Sequence, residues 1–211
     1  METKELIFAL SSKDIRLKVV ANVEALITNP EDEDKIPCWA EIWPAARGIS
    51  HWAWNNLSFH GEDLLELGAG LGLPGIVCAL KGAVVTFSDF NPSALKLAIQ
   101  NAEINGVHTA NKFLGDWRKF NLKQRYKWIL CSDVTYDPKL NIYILNIIQN
   151  NLSPGGNLLV AHPGRPATFE FLNNLEKIFN WQKINTEIPI SIDDPYFPHY
   201  NIHIHHWKQL D

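Results

Sequence analysis

The sequence predicts an α/β protein built around a doubly wound sheet, and three features of its 211 residues support this fold class. Short apolar runs, typical of buried strands, alternate with longer amphipathic segments, typical of helices. Five such strand–helix units follow one another between residues 64 and 179. Two further strand-like segments, 182–188 and 200–207, come after them, so we expect a sheet of seven strands.

The first strand–helix unit contains the most informative stretch of the chain, Leu64–Gly75. An apolar run there is followed by glycine at every second position, Gly68, Gly70 and Gly72, and then by an apolar helix. Glycines permit a tight turn and leave bare backbone against which a ligand can lie. A strand, a glycine turn and a helix N-terminus in this order are typical of a Rossmann-like nucleotide cradle. A tight turn without a ligand is the simpler alternative.

Two acidic residues accompany the glycines. Glu66 precedes Gly68 by two positions, which gives the pattern Glu-x-Gly-x-Gly-x-Gly. Asp89 ends the next apolar run, 83–88, at the distance of about 20 residues where an acid binds ribose hydroxyls in such cradles. Because a dinucleotide site fits the glycines equally well, a nicotinamide-dependent dehydrogenase stays open as an alternative.

Composition restricts the expected partners and location. A net charge of -4 argues against broad electrostatic binding to nucleic acid. No apolar stretch is long enough to span a membrane, and the run 6–10 is too short for a signal peptide. Cys38, Cys78 and Cys131 lie far apart, without metal-binding spacing, and indicate reduced core thiols of a cytoplasmic protein. We therefore expect no nucleic-acid partner, no membrane partner and no metal.

The chain is predicted to divide into an N-terminal extension, residues 1–35, and one domain, residues 36–211. Alternating residues 15–20 predict a strand in the extension, and residues 30–35 predict an acidic surface loop. In the last strand, three histidines come close together, but neither a cysteine nor a carboxylate completes a metal-binding set.

Candidate site residues follow the predicted strands at their carboxyl ends, where open α/β sheets bind ligands. Asp133 and Tyr136 come directly after the fourth strand and are placed to meet a substrate. Asp137 precedes a proline and is better explained as the N-cap of the next helix. Arg165, after the fifth strand, either contacts substrate or lies in solvent. Trp43 precedes Pro44 at the start of a helix and either anchors that helix or lies at the mouth of the ligand site.

The glycine motif together with Asp89 resembles motif I and the following acidic position of the class I S-adenosylmethionine (SAM) methyltransferases. Three segments are similar to one subgroup, methyltransferase family 16, which includes protein-lysine methyltransferases: Ile42–Ala46, Glu66–Gly75 and Asp133–Tyr136. The resemblance implies a Rossmann-like sheet that is mostly parallel with an antiparallel last strand, a methyltransferase domain over 36–211, and SAM as the cofactor.

Asp116 and Trp117 follow the third strand, where an acid can accept from the adenine amino group and an indole can pack on the adenine face. An exposed turn with one anchoring tryptophan is the alternative at that position. Ser132 stands where the subgroup commonly has alanine. The expected cofactor-binding residues are Trp43, Glu66, Gly68, Ala69, Gly70, Asp89, Asp116, Trp117 and Ser132.

The function implied is methyl transfer from SAM to a nitrogen, with the lysine of a protein substrate as the expected acceptor. Asp133 and Tyr136 are the expected catalytic residues, because they would orient the amine. The alternatives are a small-molecule amine or heterocycle N-methyltransferase and a SAM-binding protein without turnover. Nucleic-acid methylation is disfavoured, because the fourth strand is not followed by an Asn-Pro-Pro-Tyr base-binding loop.

Overall fold

The computed structural model describes residues 1–32 and 35–210 and confirms the seven-stranded sheet. An antiparallel pair precedes it, so the strands in chain order are β1 (Thr3–Ala9), β2 (Asp14–Val20), β3 (Asp63–Leu67), β4 (Val84–Asp89), β5 (Asn111–Leu114), β6 (Tyr126–Ser132), β7 (Leu152–His162), β8 (Trp181–Ser191) and β9 (His199–Gln209). The helices are α1 (Pro44–Asn56), α2 (Leu73–Leu80), α3 (Pro92–Ile104), α4 (Pro138–Asn151) and α5 (Pro166–Glu176).

The large sheet has the strand order β5-β4-β3-β6-β7-β9-β8. Strands β5, β4, β3, β6 and β7 are parallel, and β9 runs antiparallel to both of its neighbours, as the resemblance implied. The chain proceeds outward from β3 to β5 and then returns to place β6 on the other side of β3. This reversal creates a crevice at the carboxyl ends of β3 and β6, the usual ligand site of such sheets.

The central strands β3, β4 and β6 are buried on both faces, which explains why they are mostly apolar runs, whereas the edge strands β5 and β8 are largely exposed. In β3, Leu64 packs into the cluster on one face, whereas Leu65 and Leu67 pack into the cluster on the other face. Helices α1 to α3 cover the first face and α4 and α5 cover the second.

The N-terminal extension contains a hairpin in which β1 pairs with β2, although only the second strand was predicted. Ile15 and Leu17 are fully buried in the cluster that also contains α1. Asn101 of α3 accepts a 2.7 Å hydrogen bond from the Lys18 amide and donates to the Leu71 carbonyl at 3.0 Å. The hairpin is therefore fastened to α3, and the domain boundary at residue 35 stays a prediction. The predicted acidic loop includes residues 33 and 34, which lie outside the described residues.

Residues 153–156 of β7 form a bulge, because the pairing with β6 shifts between Tyr126 and Trp128. The expectation of three core thiols is corrected. Cys38 is exposed rather than part of the core, whereas Cys78 and Cys131 are buried, and all three thiols are free. Among the described helices, none is long and apolar enough to cross a membrane.

Candidate active site

A cavity of about 350 Å³ opens at the crevice between β3 and β6. Its walls come from the segment before α1 and from the loops that follow β3, β4, β5, β6 and β7. Ten predicted site residues line it: Trp43, Glu66, Gly68, Ala69, Gly70, Asp89, Trp117, Ser132, Asp133 and Tyr136. Residues from six separate segments thus meet at one edge of the sheet.

The glycine loop forms the floor of the cavity, and two of its glycines are required by geometry. Gly68 has φ +64°, and a Cβ there would lie 2.8 Å from Val134 Cγ1. Gly70 has φ +53°, and its Cβ would lie 3.0 Å from the Trp39 carbonyl oxygen. Left-handed backbone and close neighbours both exclude a side chain, so the cavity faces bare backbone at this loop.

Asp89 ties the glycine loop to the end of β4. Its Oδ2 accepts a 3.0 Å hydrogen bond from the Gly70 amide and its Oδ1 accepts a 2.9 Å bond from the Asn91 amide. Burial raises the pKa of this carboxyl, although the amides of Asn91, Gly70 and Phe90 act in the opposite direction. Each carboxylate oxygen has a second lone pair, so Asp89 can still accept from a sugar diol.

Glu66 lies deeper and is 2% exposed. Its Oε2 accepts a 3.1 Å hydrogen bond from the Gly75 amide in the first turn of α2. Burial, assisted by the charge of Asp89 and opposed by the Gly75 amide, raises the pKa of Glu66 to about 8. The side chain therefore braces the glycine loop and is largely protonated at neutral pH.

Two of the indoles that line the cavity, those of Trp43 and Trp117, were predicted there. The Trp43 Nε1 donates a 2.8 Å hydrogen bond to the Cys38 carbonyl, which holds the ring at the mouth, where it is 37% exposed. Trp117 approaches Gly68, since a Cβ on that glycine would lie 3.1 Å from Trp117 Cζ2. Asp116, predicted beside Trp117, is not among the lining residues; its carboxylate pairs with Arg118 at 2.9 Å.

Asp133 and Arg165 form the most specific polar contact of the cavity. Arg165 Nε donates to Asp133 Oδ1 at 2.5 Å, and Nη2 donates to Oδ2 at 2.9 Å. The Asp133 backbone has φ +53°, and its amide donates to the Ala161 carbonyl at 2.8 Å. Arg165 thus pairs with Asp133 and lines the cavity, and its contact with a substrate stays a prediction.

A buried pair of imidazoles holds the loop that carries Arg165. His162 Nδ1 accepts from the amides of Gly164 and Arg165 at 3.2 and 3.0 Å, so its proton is on Nε2. That Nε2 lies 3.1 Å from His205 Nε2, which therefore accepts, and His205 Nδ1 donates to Asn185 Oδ1 at 2.8 Å. Burial lowers the pKa of His162 to about 3 and that of His205 to about 4, which keeps both rings neutral. Over the described ranges, no group of three or more His, Cys, Asp or Glu side chains is arranged to hold a metal.

Among the lining residues that the sequence did not predict are Trp39, Glu41 and Phe90, and the pairing of Arg165 with Asp133 was not predicted either. Glu41 and Trp39 lie in the tryptophan-rich segment before α1, and Phe90 directly follows Asp89, so proximity to a motif was the available signal. Together with Asp89 and Asp133, Glu41 makes the lining acidic, whereas Glu66 is largely protonated and Arg165 is a cation.

Ser132 provides a further test of what the cavity fits. Its hydroxyl oxygen is buried and has no hydrogen-bond partner among the described residues. A buried polar atom without a partner is unfavourable, and a ligand would supply one. Bare glycine backbone, an acid beside it, two indoles and an acidic lining all suit a cationic nucleoside such as SAM.

Comparison with known proteins identifies the family. The sequence profile described as lysine methyltransferase matches residues 23–178, which is most of the chain. The chain belongs to this lysine methyltransferase family. Members of the family are methyltransferases, and SAM is the cofactor that this membership implies. The cavity residues fit that cofactor.

Relatives of this family member include enzymes with different acceptors. It is 39% identical over 128 residues to EEF1A lysine methyltransferase 3 of Mus musculus, which covers 58% of this chain and 54% of that protein. It is 31% identical over 128 residues to a histidine protein methyltransferase 1 homolog of Dictyostelium discoideum, covering 57% and 41%. It is 28% identical over 165 residues to protein N-lysine methyltransferase METTL21A of Danio rerio, covering 74% and 75%. The match thus spans about half the length of the first two relatives.

A solved structure with the same fold is the N-methyltransferase NodS of Bradyrhizobium japonicum in complex with S-adenosyl-L-homocysteine. The two share a TM-score of 0.63 at 17% identity over 90% of this chain and 97% of NodS. This likeness confirms the Rossmann-like methyltransferase fold.

Proposed function

We propose that this protein transfers a methyl group from SAM to the side-chain nitrogen of a lysine in a protein substrate. The family and the two relatives named as lysine methyltransferases support the acceptor. The main support for the proposal is that Asp89 and Asp133 line the same cavity. Asp89 is suited to bind a ribose, and Asp133 is suited to bind an amine. A protein histidine is the second candidate acceptor, favoured by the Dictyostelium discoideum relative.

The residues that would hold the cofactor are distributed around the cavity. The backbone from Gly68 to Gly70 would contact the methionyl part, Asp89 would accept from the ribose hydroxyls, and the Ser132 hydroxyl would gain a partner. Trp117 would pack on the adenine. Asp116 would reach the adenine amino group only by turning away from Arg118, with which it now pairs. Bound SAM supplies a methyl carbon on a sulfonium, a good leaving group.

The chain then has to position a neutral amine. A lysine with its ordinary pKa of about 10.4 costs about 4 kcal/mol to deprotonate at neutral pH. A lone carboxylate would oppose this step, since it favours the ammonium form. In this site Arg165 partly neutralises Asp133, whose oxygens keep acceptor lone pairs. The pair would therefore orient the amine without holding it charged, and the proton would pass to water.

Tyr136 would form a wall of the channel through which the acceptor enters. Its side chain lines the cavity and is 48% exposed, so it lies between the buried floor and solvent. Alignment of the reacting atoms is the main requirement, because well-oriented reactants recover roughly 7–11 kcal/mol of barrier.

The proposal is tested by incubating a cell lysate with methyl-labelled SAM and the purified protein, with Asp133→Ala as the control. We expect a labelled protein band whose hydrolysate contains methyllysine and which is missing with the variant. Methylhistidine would assign the second acceptor. Label confined to small molecules would establish the small-molecule alternative, and absence of any product over a broad screen would support a binding protein. Calorimetry with SAM and with NAD tests the dehydrogenase alternative.

Three further parts of this proposal concern location, partners and domain division. Three free thiols support a cytoplasmic location. The net charge of -4 supports the prediction that nucleic acid is not a partner, and we predict no membrane partner either. We also keep the division into an extension over 1–35 and a methyltransferase domain over 36–211.

A further inference from the structure

A second cavity, of about 590 Å³, lies between β1, α1 and the end of β8. Apolar and amide side chains make up most of its lining, including Phe8, Trp52, Asn55 and Ile190. The lining contains one guanidinium, that of Arg47, and no carboxylate. Arg47 does not line the cofactor cavity, and the two cavities share no lining residue, so they are separate sites.

Arg47 is a half-buried cation without an anionic partner. Its Nε is buried and has no hydrogen-bond acceptor among the described residues, and none of the ion pairs found there involves it. The guanidinium carbon lies 6.0 Å from the centre of the Phe8 ring, a contact that offsets part of the desolvation. Arginine stays charged in proteins, and a buried charge without a partner is costly.

His51, one helical turn after Arg47, adds no second charge at neutral pH. Burial, together with the charge of Arg47, lowers the pKa of His51 below its ordinary value. Its ring packs against Phe8 at 4.8 Å between centroids, on the same wall as the guanidinium. The cavity therefore presents one positive charge beside an aromatic face and further apolar walls.

We propose that this cavity binds a carboxylate joined to an apolar body, with Arg47 as its anchor and Phe8 as part of its apolar wall. A guanidinium binds a carboxylate through two parallel hydrogen bonds, which would give the Arg47 Nε an acceptor. One cation matches a monoanion better than a phosphate dianion. Cavities of roughly 300–1,000 Å³ with apolar walls and few polar groups are typical of small-ligand sites. Aspartate or glutamate beside an apolar residue of a protein partner has the same chemistry.

Benzoate and its neutral analogue benzamide form a matched pair of probes. Each is titrated into the full-length protein without SAM, and the nuclear magnetic resonance signals of Arg47 Nε–H, the His51 ring and Trp52 Nε1–H are followed. We expect saturable shifts with benzoate and at least ten-fold weaker binding of benzamide. The Trp43 Nε1–H in the cofactor cavity should not move.

Variants test the role of the charge. Arg47→Met should abolish the benzoate shifts, whereas Lys13→Met, which removes an exposed charge from the β1–β2 turn, should leave them unchanged. Arg47→Lys keeps the charge but loses the planar fork, and it should weaken benzoate binding several-fold. This second variant and the benzoate–benzamide comparison keep the test valid if Arg47→Met fails to fold.

Three results would overturn the proposal. Equal binding of the two probes would show that the cavity takes any apolar ring. Benzoate binding that survives in Arg47→Met would remove the anchor. Inorganic phosphate that displaces benzoate at lower concentration would assign a different anion. A blocked Phe-Glu-Phe peptide, with Phe-Gln-Phe as its control, distinguishes the source of the carboxylate. If the Glu peptide binds more tightly than benzoate, the ligand is a protein side chain. If benzoate binds more tightly, the ligand is a small molecule.

Discussion

Asp133 and Arg165 come from the ends of two neighbouring strands, β6 and β7, and are joined by two hydrogen bonds of 2.5 and 2.9 Å. The carboxylate is nearly buried, with 4% of its side chain exposed, whereas the arginine side chain is 36% exposed. The geometry of the carboxylate is therefore fixed by a partner that itself reaches the cavity.

Asp133→Ala should abolish methyl transfer while SAM still binds. The change removes the group that we propose orients the acceptor but leaves the glycine loop and Asp89 in place. We expect turnover to fall by about 100-fold or more, since loss of alignment by about 1 Å can have an effect of that size. The measurement is labelled methyl transfer to the identified substrate, alongside calorimetry with SAM. Full turnover in the variant would show that the assigned role is wrong.

Arg165→Lys tests the partner of Asp133. Lysine keeps the positive charge but cannot form the two parallel hydrogen bonds that the guanidinium makes. We expect an intermediate loss of turnover. Since Arg165 is partly exposed, the free energy of unfolding should fall by only about 1 kcal/mol, as judged by denaturant unfolding.

Asp89→Asn should weaken SAM binding by about 10–100-fold, the effect expected when hydrogen bonds to a charged acceptor are lost. An amide also cannot accept from both backbone N–H groups that now bind the two carboxylate oxygens. Calorimetry with SAM measures the change, and Asp14→Asn, at an exposed position on the hairpin, is the control. Unchanged affinity in Asp89→Asn would remove this residue from the cofactor site.

In the wild-type protein the free energy of unfolding should fall as the pH rises, and Glu66→Gln should remove this fall. The folded pKa of Glu66, about 8, lies above the ordinary value of 4.5. Between these two values the folded state binds the proton more tightly, so stability falls as the pH rises from about 5 to 8. Wild-type protein should lose on the order of a few kcal/mol relative to Glu66→Gln over this range. Denaturant unfolding from pH 5 to pH 8 measures this change, and the variant Glu103→Gln, at an exposed position, is the control. If the free energy of unfolding depends on pH in the same way in the wild type and in Glu66→Gln, the prediction is wrong.

A comparison of Gly68→Ala with Gly61→Ala separates two causes of lost stability, backbone strain and steric clash. Both glycines have positive φ, +64° and +86°, but a Cβ at Gly61 meets nothing within 4 Å, whereas at Gly68 it lies 2.8 Å from Val134 Cγ1. Gly61→Ala should lower the free energy of unfolding by about 1 kcal/mol, and Gly68→Ala by about 2–4 kcal/mol. Only Gly68→Ala should weaken SAM binding. Equal losses of stability in the two variants would show that the cavity floor is less tightly packed than the contact with Val134 indicates.

Much of the fold followed from local patterns. Apolar runs predicted the central strands of the sheet, because a strand buried on both faces is apolar throughout, and short or partly polar segments predicted the others. Glycine spacing and the acids after successive strands predicted where ligands bind, because the carboxyl ends of parallel strands share one edge. For that reason Asp89 and Asp133, 44 positions apart in sequence, were both expected at the edge where the cavity opens.

Only the tertiary structure decided which side chains pair across that edge. Arg165 had two alternatives in the sequence, and its partner became evident only when β7 lay beside β6. The same holds for the contact of His162 with His205 and for Arg47, which has no anionic partner among the residues that the structure describes. Periodicity records which face of an element is buried, whereas ion pairs and cavities depend on distances between elements that no local pattern encodes.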